Sequence, residues 1–209
     1  MAHRDVVVVG ASAGGVEALS QLVSRLPGNL PAAVLITMHV ASHATSILPS
    51  ILERAGSLPC AHAVDGTPIL KRRVYVAPPN RHLLMRLGRV ALSLGPKENG
   101  SRPAVDAMFR AAAREYGRRV VGVVLSGTLD DGTAGLAAIR ALGGLCLAQK
   151  PDTAMYRGMP QSAISAGVVD AVLDIPAIAA LIAREAGPRV PDAQPAVSDA
   201  KTKSEPELK

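Results

Sequence analysis

Asp5-Val6-Val7-Val8-Val9-Gly10-Ala11-Ser12-Ala13-Gly14-Gly15 is the stretch that decides the fold. Four valines that stop at a glycine read as a short strand buried on both faces, the kind found in parallel sheets. Residues 14–26 then place Val16, Leu19, Leu22, Val23 and Leu26 at helical spacing, and Pro27-Gly28 ends the run. A second apolar run follows at 32–40, then a helical pattern over 45–55. This β-α-β-α order predicts an α/β fold with a doubly wound, mostly parallel sheet flanked by helices in three layers.

Farther along, short alternating segments at 74–77, 82–86 and 90–94 are separated by Pro78-Pro79-Asn80 and Gly88, and read as an antiparallel hairpin excursion. Helical spacing returns over 103–116 and 133–142, around a third strong strand at 120–125. A strand at 145–148, a short helix at 160–166, a strand at 168–173 and a helix at 176–186 complete the pattern. Residues 1–186 are therefore read as one domain. Residues 187–209, with four prolines and few apolar side chains, are expected to be a disordered tail.

Composition narrows the function classes. With 48% hydrophobic, 19% charged and 2% aromatic residues among 209, the core must be aliphatic, which suits a covered parallel sheet rather than a β-sandwich. Cys60 and Cys146 are too few for a disulfide scaffold and lack metal-binding spacing, so a reduced cytoplasmic setting is expected. No apolar run is long enough for a signal core or a membrane span. The net charge of +6 belongs entirely to residues 1–186, since the tail balances four bases with four acids. A positive domain suits an acidic partner: nucleic acid, anionic lipid or a Glu-rich protein surface. With almost no aromatics for base stacking, no nucleic-acid role is expected.

In an open α/β sheet, ligands bind beyond the carboxyl ends of the strands. Three such ends carry reactive side chains: Ser12, His39 in Met38-His39-Val40, and Asp130-Asp131 in Ser126-Gly127-Thr128-Leu129-Asp130-Asp131-Gly132. A nucleophile, a base and an orienting acid on one edge are what acyl transfer through a serine requires. Gly10-Ala11-Ser12-Ala13-Gly14 also fits the G-x-S-x-G nucleophile turn, whose following helix would aim N–H groups, Ala13's included, at an oxyanion. The same residues allow plainer roles: Ser12 as a helix N-cap, His39 as a core histidine, and the aspartates as turn and cap residues.

Rival sites fit less well. A dinucleotide fingerprint needs glycine where Ser12 stands, and the Walker pattern lacks its Lys-Ser/Thr ending, so no cofactor is expected. His39 and His43 have zinc spacing but lack the glutamate of H-E-x-x-H and a third ligand, so no metal is expected either. All five histidines precede residue 83, which excludes the Ser…Asp…His order of ordinary lipases and esterases.

Taken together, Gly10–Gly15, Met38-His39-Val40, the run 75–82 (Tyr-Val-Ala-Pro-Pro-Asn-Arg-His), Arg102-Pro103-Ala104-Val105-Asp106 and the run 125–132 resemble the catalytic domain of the CheB chemotaxis protein-glutamate methylesterases. Ala148-Gln149 and Gly158-Met159-Pro160 extend the likeness, which covers about residues 5–182 in order. The resemblance implies hydrolysis of glutamate γ-methyl esters, and deamidation of certain glutamines, on Glu-rich cytoplasmic helices of chemoreceptors. It assigns Ser12 as nucleophile, His39 as base and Asp131 as orienting acid, with Ala13, Gly14 and Thr128 at the oxyanion and substrate loop and Asp130 as loop structure. Acidic receptor helices would also explain the positive domain. The chain opens on the catalytic strand, so control by an attached receiver domain is not expected, and a separate one is a possible partner. Ala13, Thr128 and Met38 stand where the family often has threonine, methionine and glutamine. The alternative from another class is a signalling module that binds receptor helices or another protein without turnover. A third is an anion-binding α/β protein.

Overall fold

The structure, a computed structural model, describes residues 3–40 and 45–187. Its centre is β1 (Val6–Ala11), every residue of which is buried. Alternation explains how: Val7 and Val9 face one apolar layer, and Val6 and Val8 face the other. The strand pairs in parallel with β2 (Ala33–Met38) on one side and β7 (Val120–Val124) on the other.

Beyond β2 lie β4 (Arg73–Val76) and β3 (Cys60–His62); beyond β7 lie β8 (Leu145–Gln149) and β9 (Ala171–Leu173). The sheet is thus seven-stranded in the order β3-β4-β2-β1-β7-β8-β9 and parallel throughout, which agrees with the doubly wound, mostly parallel sheet that the sequence predicts. Helices α1 (Gly15–Val23), α2 (Leu48–Ala55) and α6 (Ile175–Ala186) bury Leu19, Leu22, Leu52, Ile178 and Ile182 against one face. Helices α3 (Val105–Tyr116), α4 (Thr133–Ala141) and α5 (Gly158–Ser165) cover the other with Met108, Phe109, Leu136, Ile139 and Ala163. The antiparallel pair β5 (His82–Arg86) and β6 (Arg89–Ser93) packs beside α3.

Two strands differ from the sequence reading. The alternation of residues 74–77 groups them with the hairpin, but Arg73–Val76 is a member of the parallel sheet, where Val34 and Val74 are register partners. Residues 60–62 form a strand that the sequence does not signal, because three residues with an exposed Ala61 in the middle carry no periodicity. The sheet winds outward from β1 through β2 on one side and from β7 through β8 on the other, so the loops after the parallel strands β1 and β7 face each other across a topological switch point.

Candidate active site

β1 runs straight into the turn that carries Ser12. The Ser12 N–H donates to the Ser126 carbonyl (2.9 Å), and its own carbonyl accepts from Gly15 N–H (2.8 Å). Gly14 takes the left-handed conformation (φ 69°) at the start of α1, and a Cβ there would lie 2.7 Å from Ser126 Oγ and 2.8 Å from Met155 Cβ. The helix start has no side-chain cap, so Ser12 is not an N-cap. Its hydroxyl is directed at His39 instead, 3.1 Å from Nδ1.

His39 follows β2, held by its N–H on the Ala11 carbonyl (3.2 Å). Its Nε2 stands 2.6 Å from Asp131 Oδ2 in the loop after β7. With Nε2–H donated to the carboxylate, Nδ1 is the bare nitrogen that accepts from the serine. The His39 side chain is 21% exposed and Asp131 only 2%, so the imidazole lies at the edge of solvent and its carboxylate anchor is buried.

Asp131 also accepts from Val105 N–H (Oδ2, 2.8 Å), Asp106 N–H (Oδ1, 2.9 Å) and Asn99 Nδ2 (Oδ1, 2.9 Å). Burial alone would raise its pKa, but the bonds from His39, Val105, Asp106 and Asn99 outweigh burial and hold the carboxyl below its ordinary value. The close approach of α3 depends on Gly10, where a Cβ would collide with Val105 at 2.3 Å. Asp131 does not cap α4, whose N-cap is Gly132 and carries no side chain to do so. Asp130 is exposed in the loop and offers its backbone carbonyl to Thr133 N–H (3.0 Å).

Other residues of the site went unassigned in the sequence reading. Asp106, 5% exposed, accepts through Oδ1 from Gly132 N–H (3.0 Å) and Gly135 N–H (2.6 Å), so α3 caps the first turn of α4. Burial pushes the Asp106 carboxyl above its ordinary range, and the nearby charge of Asp131 adds to this. The Asn99 amide bridges the two carboxylates, giving one N–H to Asp131 and the other to Asp106 Oδ2 (2.9 Å). Asn99 and Gly100 both have positive φ (49° and 72°), in a tight turn closed by Glu98 and Ser101. The Arg102 guanidinium ties that turn's segment to Asn80 Oδ1 (2.7 and 3.0 Å), and buried His82 holds it through the Pro96 carbonyl (2.8 Å). The Asn-Gly dipeptide was the available signal for the turn; nothing local shows where its amide is aimed.

Ser126 joins three loops. Its N–H donates to Gln149 Oε1 (2.9 Å), its hydroxyl donates to the Ala13 carbonyl (2.8 Å), and it accepts from Tyr156 N–H (3.0 Å). Ala13 and Gly14 are half-buried beside the serine, and their N–H groups make no hydrogen bond among the described residues. Thr128 is exposed at the rim, where Leu129, Met155 and Tyr156 add an exposed apolar margin (74, 66 and 45%). The structure thus brings Ser12, His39 and Asp131 into one hydrogen-bonded line, with Ala13 and Gly14 next to the serine. His43 lies outside the described residues.

Residues 7–182 match the CheB methylesterase family. Protein-glutamate methylesterase/protein-glutamine glutaminase 6 of Anaeromyxobacter dehalogenans is 41% identical over 84% of this chain and 52% of its own length. The Symbiobacterium thermophilum protein-glutamate methylesterase/protein-glutamine glutaminase is 37% identical over 88% of this chain and 51% of its own. The chain therefore spans about half the length of these curated relatives. The crystal structure of the Thermotoga maritima CheB methylesterase catalytic domain superposes with a TM-score of 0.82 at 33% identity, covering 86% of this chain and 97% of that one. With its parallel sheet and the residues gathered at the carboxyl ends of β1, β2 and β7, the chain belongs to the CheB methylesterase family.

Proposed function

We propose that residues 1–186 form a catalytic unit that hydrolyses glutamate γ-methyl esters on cytoplasmic helices of chemoreceptors, and deamidates glutamines at equivalent positions. The observation that carries this reading is the continuous line from Ser12 Oγ through His39 to Asp131. Ser12 attacks the ester carbonyl carbon as its proton passes to His39 Nδ1, and Asp131 steadies the imidazolium through Nε2. The N–H groups of Ala13 and Gly14 are available to the oxyanion. Collapse of the tetrahedral intermediate expels methoxide, which takes the proton from His39 and leaves as methanol. Water, deprotonated by His39, then attacks the acyl-serine and releases the glutamate carboxylate with Ser12 restored. For glutamine the leaving group is ammonia.

No helix among the described residues is long and apolar enough to cross a membrane, and we assign the protein to the cytoplasm, with a receiver domain acting in trans as a candidate regulator. The test is methanol release from methylated receptor membranes, with Ser12→Ala and His39→Ala alongside the unaltered chain. Release abolished in both variants supports the assignment. Labelling of Ser12 by a fluorophosphonate without methanol release keeps the chemistry and moves the substrate. Loss of both signals in the unaltered chain would leave a non-catalytic binding module.

A further inference from the structure

The chain's charge of +6 is not spread evenly over the fold. Four loops beside Ser12 (77–81, 94–102, 126–132 and 150–158) hold five basic residues against four acids. The opposite edge is different. There Lys71, Arg72 and Arg73 lead into β4, Arg86 and Arg89 flank the tip of the β5-β6 hairpin, and Arg118 and Arg119 lead from α3 into β7. Asp5 and Glu115 bond to these segments, Glu185 pairs with Arg4 beside Arg118, and Asp65 accepts from Leu92 N–H on the hairpin, so with Arg4 counted eight bases face four acids.

These segments share one surface. Lys71 and Arg119 both pair with Asp5 (2.9 and 2.8 Å), Ile69 N–H donates to the Gly88 carbonyl (2.9 Å), and Gly88 N–H donates to Glu115 (3.0 Å). Arg72, Arg73, Arg86, Arg89 and Arg118 are exposed and have no ion-pair partner among the described residues. An acidic substrate at Ser12 does not explain this charge, because the excess lies at the far end of the sheet. Six residues of β1 separate the two edges, on the order of 20 Å.

Two leucines project from the same surface. Leu87, at the apex of the hairpin, is 81% exposed, and Leu70 on the adjoining turn is 53% exposed. Leu87 has φ 51° and Gly88 φ 69°, a turn whose first position favours asparagine, aspartate or glycine. A leucine there helps neither the turn nor the core.

We propose that this edge is a peripheral docking surface for anionic phospholipid, with the arginines on headgroup phosphates and Leu87 and Leu70 at the headgroup–acyl boundary. Nucleic acid would want exposed aromatic faces, whereas Tyr75 beside Leu70 is buried and Tyr116 lies under the Arg119 guanidinium at 5.3 Å. An acidic protein would match the arginines but leave the protruding leucines without a role. In this orientation the catalytic edge faces away from the bilayer, open to substrate. The proposal is independent of the esterase reading.

The test is vesicle flotation of the full chain, with phosphatidylcholine alone or with about 30 mol% phosphatidylserine, at low salt and at about 0.5 M NaCl. Binding is expected only on the phosphatidylserine vesicles, and it should weaken sharply at high salt. Leu70→Ser with Leu87→Ser should lower binding about tenfold or more, as should Arg86→Gln with Arg89→Gln, whereas Met155→Ser, at the catalytic edge and between the two leucines in exposure, should not. All of these side chains are exposed, and circular dichroism checks that each variant is folded. No binding at low salt would overturn the proposal. So would binding indifferent to the leucines, or capture by polyglutamate in place of vesicles.

Discussion

Replacing Asp106 separates two roles that one carboxylate plays in this fold. In Asp106→Ala the buried N–H groups of Gly132 and Gly135 lose their acceptor, at about 1–3 kcal/mol each, and the Asn99 amide loses one of its two anchors. The expected loss is about 2–5 kcal/mol, somewhat below the sum of the upper limits because the variant no longer buries a carboxyl whose ionisation burial opposes. Against a typical domain stability of roughly 5–15 kcal/mol, this is a large fraction. Asp106→Asn keeps an oxygen for both glycines but turns an amide NH₂ toward that of Asn99, donor against donor, at about 1–2 kcal/mol. Urea unfolding of the three proteins, followed by far-UV circular dichroism, gives the comparison directly. A loss below about 1 kcal/mol in the alanine variant, or equal losses in the two, would refute the claim that Asp106 acts by capping α4.

Other outcomes follow from the same geometry. Gly14→Ala puts a Cβ against Ser126 and Met155 at a left-handed φ, so the serine turn must shift; kcat/KM should fall about 100-fold in a steady-state ester assay, with the fold intact. Asp131 and Asp5 both have carboxyls held below the unfolded value of 3.8, so their contribution to stability is complete above that pH and is lost as pH falls through the lower folded values. Asp106 has the opposite sign, its contribution being lost as pH rises through its raised folded value. Urea midpoints taken from about pH 5 down to about pH 2.5 should therefore fall more steeply in the unaltered chain than in Asp131→Asn. Burial pushes the Cys60 thiol up to about 11 and that of Cys146 up to about 12, so a maleimide at about pH 8 should leave both unmodified until urea unfolds the chain.

Much of this was legible in the sequence because it rests on short-range patterns. Val6–Val9 stops at Gly10, the run at 32–40 ends beside His39, and 120–125 leads into the Asp131 loop, so strand ends and reactive side chains were read together. What stayed hidden depends on contacts distant in sequence. Asp106 looks like an ordinary acid in the first turn of a helix, yet its acceptors serve glycines 26 and 29 residues away. Asn99 reaches Asp131 across 32 residues, and only the assembled fold aims its amide. Arg73–Val76 alternates like a hairpin strand, and its place in the parallel sheet is set by pairing with Val34 and Leu35 rather than by its own residues. The charge told the same story in reverse: its sum was plain, but its location at the edge away from Ser12 was not.

The separation along the chain of the three aligned side chains bears on synthesis. His39 and Asp131 are 92 residues apart, and β1 lies between β2, its near neighbour in sequence, and β7, more than a hundred residues later. A chain emerging from the ribosome presents its serine and histidine long before the aspartate exists. Until β7 closes on β1, Ser12 N–H has no Ser126 carbonyl to hold it and His39 has no carboxylate. Pairings of such long range form late. The proposed ester hydrolysis would thus report on the completed sheet, since its serine, histidine and aspartate come into line only when β7 closes on β1.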